Sequence, residues 1–381
     1  MKDFKFSSPT TLYVGDEMVM KKAPLFKAFG ERCYIITSKF PPGVRHLSLE
    51  DAIKACESQN IAYEVFDDAK ENPPVETCAE LVDRVMAFHP DFLITCGGGS
   101  AIDTTKAVNI LMKHHGEDPY QVLYGGPSPD TVGVGGEGAV PMVAIPTTAG
   151  TGSEISCYSV LTRTDLDTKE GIHPKIFPDV AILDAKYIKN APPSLIHSGA
   201  IDALAHGIEA YLNTECSPIV AGLAETGFGL FRRYKDHLLQ NAMTDDDFTT
   251  AFIASNVFGM CMQGGTTLPH GMGYPLSHFK HVPHGLACGV FLGEYIRAFK
   301  DKSLPEPVVR LCGFDSTDAF ADYINQILAA DCRFTVTEEE IEAWTDEMFR
   351  LKARLNKHPE EITREEIKNI YQRSLENCIV R

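Results

Sequence analysis

The chain has 381 residues and a formal net charge of −17, with 44% apolar and 23% charged residues, which is ordinary globular usage and enough length for two domains at ~100–200 residues each. So acidic a chain repels phosphate backbones and anionic lipid surfaces, which argues against nucleic-acid and membrane partners, and no stretch approaches the ~20 apolar residues of a membrane span. Met1 to Pro9 lacks the apolar core of a signal peptide, and eleven scattered cysteines without a CxxC pair fit neither a disulfide framework nor a zinc knuckle, so a reducing, cytoplasmic setting is expected.

In chain order, Tyr34–Thr37 reads as a buried strand, followed by helical spacing of apolar residues over Ser48–Gln59 and Cys78–His89. A second strand, Phe92–Thr95, runs into Gly97-Gly98-Gly99-Ser100 and a helix that carries Asp103 and Lys106. The Gly-rich stretch Gly125–Gly138 reads as a long loop or hairpin. A third strand, Val143–Ile145, runs into Pro146-Thr147-Thr148-Ala-Gly-Thr151-Gly-Ser153-Glu154. Strands alternating with helices predict βαβ units and a mostly parallel sheet, whose ligands sit beyond the carboxyl ends of the strands. After about Asp184 the texture changes. Ala200–Leu212, Ala221–Leu239 and Thr249–Met262 read as long helices, and Thr337 with Glu340 and Thr363 with Glu366 have the spacing of capping boxes. The expected fold is an α/β N-terminal domain over residues 1–186 and an all-α C-terminal domain over 187–381.

Two segments carry the first function. Glycines let backbone approach an anion, and a helix N-terminus adds free N–H groups and the positive end of a dipole, so Gly97–Ser100 suits a phosphate. It is neither GxGxxG nor a Walker loop. The hydroxyls of 147–153 suit ribose, phosphate and carboxamide. Each segment alone could be a self-capped turn; at the ends of successive strands, the two together point to a dinucleotide.

The second function lies in the later half. Asp202 and His206 stand four apart, on one face of a helix, and His270, His278, His281 and His284 fall within fifteen residues. A carboxylate with several imidazoles suits Zn²⁺ or Fe²⁺ better than Mg²⁺ or Ca²⁺, which prefer oxygen shells.

Taken together, Gly97-Gly-Gly-Ser-Ala-Ile-Asp103, Pro146-Thr-Thr-Ala-Gly-Thr-Gly-Ser-Glu154, Asp202-Ala-Leu-Ala-His206 and His270 through Pro283-His284-Gly285 resemble the iron-dependent (group III) alcohol dehydrogenases, in order and over most of the chain. The resemblance implies a dehydroquinate synthase-like fold, a dinucleotide-binding domain followed by a helical metal-binding domain, and cofactor and metal in the cleft between them. It implies Asp202, His206, His270 and His284 as metal ligands. Gly98, Gly99 and Ser100 would hold the pyrophosphate, with Gly97 and Asp103 of the same motif. Thr147, Thr148, Thr151 and Ser153 would surround the ribose and nicotinamide, and Asn72 and Lys169 match further cofactor contacts. Where NAD-using members often carry Asp after the first strand, this chain has Ser38, so NADP stands beside NAD.

Many members carry a histidine four residues after the first of the His-rich segment; here it is Tyr274. Tyr274-Pro-Leu with His281-Val-Pro-His284 looks like the 4-hydroxybutyrate dehydrogenase branch. The expected reaction is metal-assisted hydride transfer between a short primary alcohol or ω-hydroxy acid and NAD(P). His281 is the favoured proton relay, with Tyr274 beside it, and Lys280 is the candidate cation for an anionic substrate. The rivals are a zinc-dependent glycerol dehydrogenase-like enzyme and a metal-dependent hydrolase. A homodimer or higher homo-oligomer is expected from the resemblance.

Overall fold

The computed structural model describes residues 3–126 and 138–379; most of the Gly125–Gly138 stretch, residues 127–137, lies outside the described residues. The chain forms two compact units: Ser7–Thr148 with Ser153–Asn190, and Ala191–Arg381 with Ala149–Gly152 and the residues up to Phe6.

The first unit is built on a six-stranded sheet. Its strands are β1 (Thr11–Val14), β2 (Arg32–Thr37), β3 (Ala62–Phe66), β4 (Phe92–Gly97), β5 (Met142–Pro146) and, after a separate antiparallel hairpin of β6 (Val160–Arg163) and β7 (Thr168–Gly171), β8 (Val180–Leu183). The order is β1-β8-β5-β4-β2-β3, and every pairing is parallel. Parallel strands bury both faces, which is why β2, β4, β5 and β8 read as nearly unbroken apolar runs. On one face Cys33, Ile35, Ile94 and Cys96 pack with Ala52, Ala55 and Cys56 of the helix Leu47–Ser58. On the other, Tyr34, Ile36 and Leu93 pack with Ala101, Ala107 and Val108 of the helix Gly99–Lys113. The helices that follow neighbouring strands β2 and β4 thus lie on opposite faces. A crevice opens at such a switch point, at the carboxyl ends of the strands.

The second unit is helical, and no named strand occurs among its described residues. Its centre is the helix His284–Ala298, buried from Leu286 through Ile296, as a helix apolar on all sides must be. Around it lie Pro193–Tyr211, Leu268–Phe279, Thr317–Leu328 and Arg364–Ser374. Close approach is enforced by small residues. A Cβ on Gly273 would stand 2.8 Å from Ala287 O, and a Cβ on Gly285 would stand 2.3 Å from Ser198 O. Three helices can therefore bring side chains to one point. The capping boxes at Thr337 and Thr363 form, and a third stands at Thr244 with Asp247. No helix among the described residues is long and apolar enough to cross a membrane.

Candidate metal centre and cofactor loops

Asp202 comes from the helix Pro193–Tyr211, His270 from Leu268–Phe279, and His284 and Cys288 from His284–Ala298. One donor atom from each of these four residues lies within 4.8 Å of all the others. Asp202 Oδ1 is 3.5 Å from His270 Nε2 and 3.9 Å from His284 Nε2, and Cys288 Sγ is 3.7 and 3.8 Å from the two ring nitrogens of His284. Donors bound to one tetrahedral ion at 2.0–2.3 Å stand about 3.3–3.8 Å apart. Asp202 Oδ1 and His270 Nε2 are both buried and neither makes a hydrogen bond. Unpaired buried polar atoms are costly, and a cation between these two satisfies both at once. The residues fit a divalent ion.

The surroundings orient these donors. His270 Nδ1 bonds Glu209 Oε1, which leaves Nε2 turned to Asp202, and such an outer carboxylate fixes both tautomer and ring. Glu209, fully buried, also accepts from Thr267 N at 2.6 Å. Burial works to lower the pKa of His270, yet the charge and hydrogen bond of Glu209 and the nearby Asp202 carboxylate raise it to about 10. Burial likewise works to raise Asp202, and the imidazoles of His206, His270 and His284 hold it well below the usual carboxylate range. Two carboxylates around the imidazoles make a region of negative potential.

His206 stands one turn after Asp202. Its ring centroid is 4.4 Å from that of His270, its Nδ1 is buried without a hydrogen bond, and burial pushes it down to about 4. It adjoins the centre but is not among the four whose donors converge. Cys288, absent from the sequence expectation, is. His281 is exposed in the turn between the last two ligand helices, with φ +53°. Tyr274 lies one turn beyond His270 on the same helix, and its hydroxyl accepts from Arg354 Nη2 at 2.9 Å. Lys280 is 2.6 Å from Glu340, so its charge is already paired.

In the sheet unit, Ser38, Gly98–Ser100 and Thr147–Thr148 follow β2, β4 and β5, three adjacent strands, with Thr37 in register with Cys96 and Gly97 with Pro146. Gly98 caps the helix Gly99–Lys113, and a Cβ on it would stand 3.2 Å from the Thr148 methyl. The missing side chain leaves this turn and the helix N-terminus open to an anion, so the loops fit a dinucleotide phosphate. Thr147 N donates to Gly97 O at 3.0 Å, which ties the two loops together. Asn72, in the left-handed region, donates its N–H to Ser100 Oγ and accepts from Thr162 Oγ1 at its carbonyl. Lys169 pairs with Thr162 across the hairpin. Thr151 is half-buried.

Asp103 and Ser153 are committed to holding the loop rather than presented at its surface. Asp103 accepts from Ser153 Oγ at 2.7 Å and from Val160 N at 3.0 Å. Lys106, fully buried, donates to Ser153 O, Ser153 Oγ, Ser156 O and Tyr158 O at 2.7–3.0 Å. Burial pushes its pKa down to about 8, against the pull of Asp103. This ammonium, which sequence reasoning passed over, staples the segment after the hydroxyl loop to the helix after the glycines. An Asp and a Lys three apart on the apolar face of that helix were its signal.

Two family models match the chain. That for iron-containing alcohol dehydrogenase covers residues 9–185, and the C-terminal model of Fe-containing alcohol dehydrogenases covers 196–375. Among curated proteins, the sulfoacetaldehyde reductase of Bilophila wadsworthia is 27% identical over 91% of this chain and 92% of its own length. Among solved structures, an iron-containing alcohol dehydrogenase superposes with a TM-score of 0.85 at 30% identity, covering 98% of this chain and 99% of that one. The sulfoacetaldehyde reductase of Bifidobacterium kashiwanohense in complex with NAD+ gives 0.83 at 26%, covering 98% and 99%. Glycine loop, hydroxyl loop and converging donors are thus carried on a fold shared from end to end, and the chain belongs to the iron-containing alcohol dehydrogenase family, a family of oxidoreductases acting on alcohols and aldehydes.

Proposed function

We propose that the chain interconverts a short ω-hydroxy acid of the 4-hydroxybutyrate type and its semialdehyde, using NAD or NADP and one divalent ion. The observation that carries the metal part is the pair of orphaned donors, Asp202 Oδ1 and His270 Nε2, facing each other beside His284 and Cys288. When bound, the ion supplies Lewis acidity at the alcohol or carbonyl oxygen, and the nicotinamide takes or gives the hydride.

The residues do the rest. Glu209 fixes His270 through Nδ1, and Asp202 brings the negative charge that offsets a cation. The Tyr274 hydroxyl, held by Arg354, stands one turn from His270, where many members carry histidine. Exposed His281 lies outside the converging donors. For the cofactor, Ser38 places no carboxylate after β2 to repel a 2′-phosphate, so both NADH and NADPH are accepted. Sulfoacetaldehyde, named in two of the relatives, is itself a short aldehyde with an anionic end group.

A second reading concerns the metal. A thiol among the donors favours Zn²⁺ over Fe²⁺, because thiolate is a soft ligand. The test is a panel of aldehydes and semialdehydes with NADH and NADPH after anaerobic loading with Fe²⁺ or Zn²⁺, with elemental analysis of the purified protein. Turnover of succinic semialdehyde above that of butyraldehyde is expected; equal turnover removes the hydroxy-acid assignment and leaves the dehydrogenase.

A further inference from the structure

Arg354 is a cation without a carboxylate. It sits on the short helix Lys352–Leu355, is only partly exposed, and makes no ion pair among the described residues. Its hydrogen bonds go to neutral oxygens: Nη1 to Thr266 Oγ1 at 3.0 Å and, more distantly, Thr267 O at 3.5 Å, and Nη2 to Tyr274 Oη at 2.9 Å. The guanidinium also lies over the Tyr274 ring, 4.8 Å from its centroid. Thr266 is four residues before His270 and Tyr274 four residues after, so the guanidinium spans the flank of the turn that carries this donor.

Room for it is made by a missing side chain. A Cβ on Gly271, the residue after His270, would stand 3.0 Å from Arg354 Cδ and 2.7 Å from Met348 Sδ. Arg354 is held against the ligand helix at the level of the metal donors. Burial works to lower its pKa, and Tyr274, Glu209 and Cys288 all act to raise it, which puts it within electrostatic reach of the centre. A half-buried guanidinium costs free energy unless something offsets it. Its planar fork suits a two-oxygen anion, either a carboxylate or one edge of a sulfonate. The turn from His270 to Tyr274 spans about 6 Å along the helix, the length scale of a chain of three or four carbons between a reacting oxygen and an end group.

We propose that Arg354, braced by Tyr274, binds the anionic end group of the substrate and selects aldehydes that carry one. This rests on the dehydrogenase reading above and names the residue that makes the substrate an acid. Lys280, paired with Glu340, is thereby replaced as the cation.

The test compares kcat/KM for succinic semialdehyde, sulfoacetaldehyde and neutral butyraldehyde in the metal-loaded wild type, Arg354→Met and Arg354→Lys, with metal content and far-ultraviolet circular dichroism measured on the same samples. The ratio of the better anionic aldehyde to butyraldehyde is expected to fall about 10- to 100-fold in Arg354→Met, mainly through KM, and less in Arg354→Lys, which keeps the charge and loses the fork. Should the Met variant fail to fold, the Lys variant is read in the same way, a drop supporting the assignment and an unchanged ratio overturning it. Whichever anion shows the larger dependence on Arg354 is the end group the site is built for. A preference that survives both substitutions overturns the role of Arg354 and leaves the hydroxy-acid reading intact. A wild type with no preference overturns both but spares the dehydrogenase, and a loaded wild type inactive on all three removes the dehydrogenase reading itself.

Discussion

Cys288 and Glu209 show what single residues add to the centre. Glu209 aims His270; Cys288 offers sulfur one helical turn after His284. If Cys288 is a donor, Cys288→Ser exchanges a soft ligand for a hard, weakly basic one and should lower Zn²⁺ retention against a chelator by about 10-fold or more, with a smaller effect on Fe²⁺. Loading with Co²⁺ gives an optical check: the wild type should show a thiolate-to-cobalt charge-transfer band that the Ser variant lacks. Identical spectra would remove Cys288 from the donor set. Asp202 stood out with His206 by spacing, and His270 and His284 within a cluster of four histidines, the choice of those two coming from the resemblance; the structure brings Asp202, His270 and His284 together. Cys288 was hidden among eleven cysteines, and its signal was the four-residue step from His284, the same step that separates Asp202 from His206. Glu209, which sequence reasoning also passed over, is a lone charge in the run 207–212. Arg354 carried no sequence signal, because the absence of a counterion is a property of the fold.

Elements place these residues. The helix Leu268–Phe279 carries Gly271, Gly273 and an internal Pro275, residues that disfavour a helix. Packing overrides propensity here, since Gly273 lets this helix touch the backbone of the next. Gly273→Ala should therefore destabilise by about 1–3 kcal/mol and loosen metal binding, because the helix bearing His270 must move away from the one bearing His284. Gly222 is the contrast. It is exposed within Pro218–Leu239 and a Cβ there meets nothing within 4 Å, so Gly222→Ala should stabilise by about 0.5–1 kcal/mol. Denaturant midpoints and chelator-competition metal retention check both; substitutions of equal sign would mean that the approach of the helices is not what Gly273 serves. The long elements were legible from periodicity: Leu47–Ser58, Val75–Phe88, Pro218–Leu239 and the strands β2, β4 and β5. The edge strands β1 and β3 were not, because they carry no buried apolar run, and the four residues of β8 do not by themselves distinguish strand from helix.

At the scale of the molecule the chain is acidic, and its buried histidines make its stability depend on pH in a calculable direction. His358 is the cleanest case, since it lies apart from the converging donors. It is 7% exposed, its ring centroid lies 4.9 Å from that of Phe299 and 5.6 Å from that of Tyr295, and its Nδ1 is 3.4 Å from Tyr295 Oη. Burial pushes its pKa from 6.5 down to about 4, with Glu360 opposing. Between pH 6.5 and 4 the unfolded chain binds a proton at this site that the folded chain does not, so stability is lost as pH falls through that window and the loss is complete below about 4. At pH 5 the term is on the order of 2 kcal/mol relative to pH 7. His358→Asn keeps a polar group near Tyr295 and cannot take the charge. Unfolding free energies at pH 7 and pH 5 should therefore fall less for the variant than for the wild type, by about that amount, while the other buried histidines and the fading negative charge act on both proteins alike and cancel in the difference. Parallel pH profiles would mean that His358 finds a counter-charge or water as it titrates, and that the aromatic enclosure around it opens before the molecule as a whole unfolds.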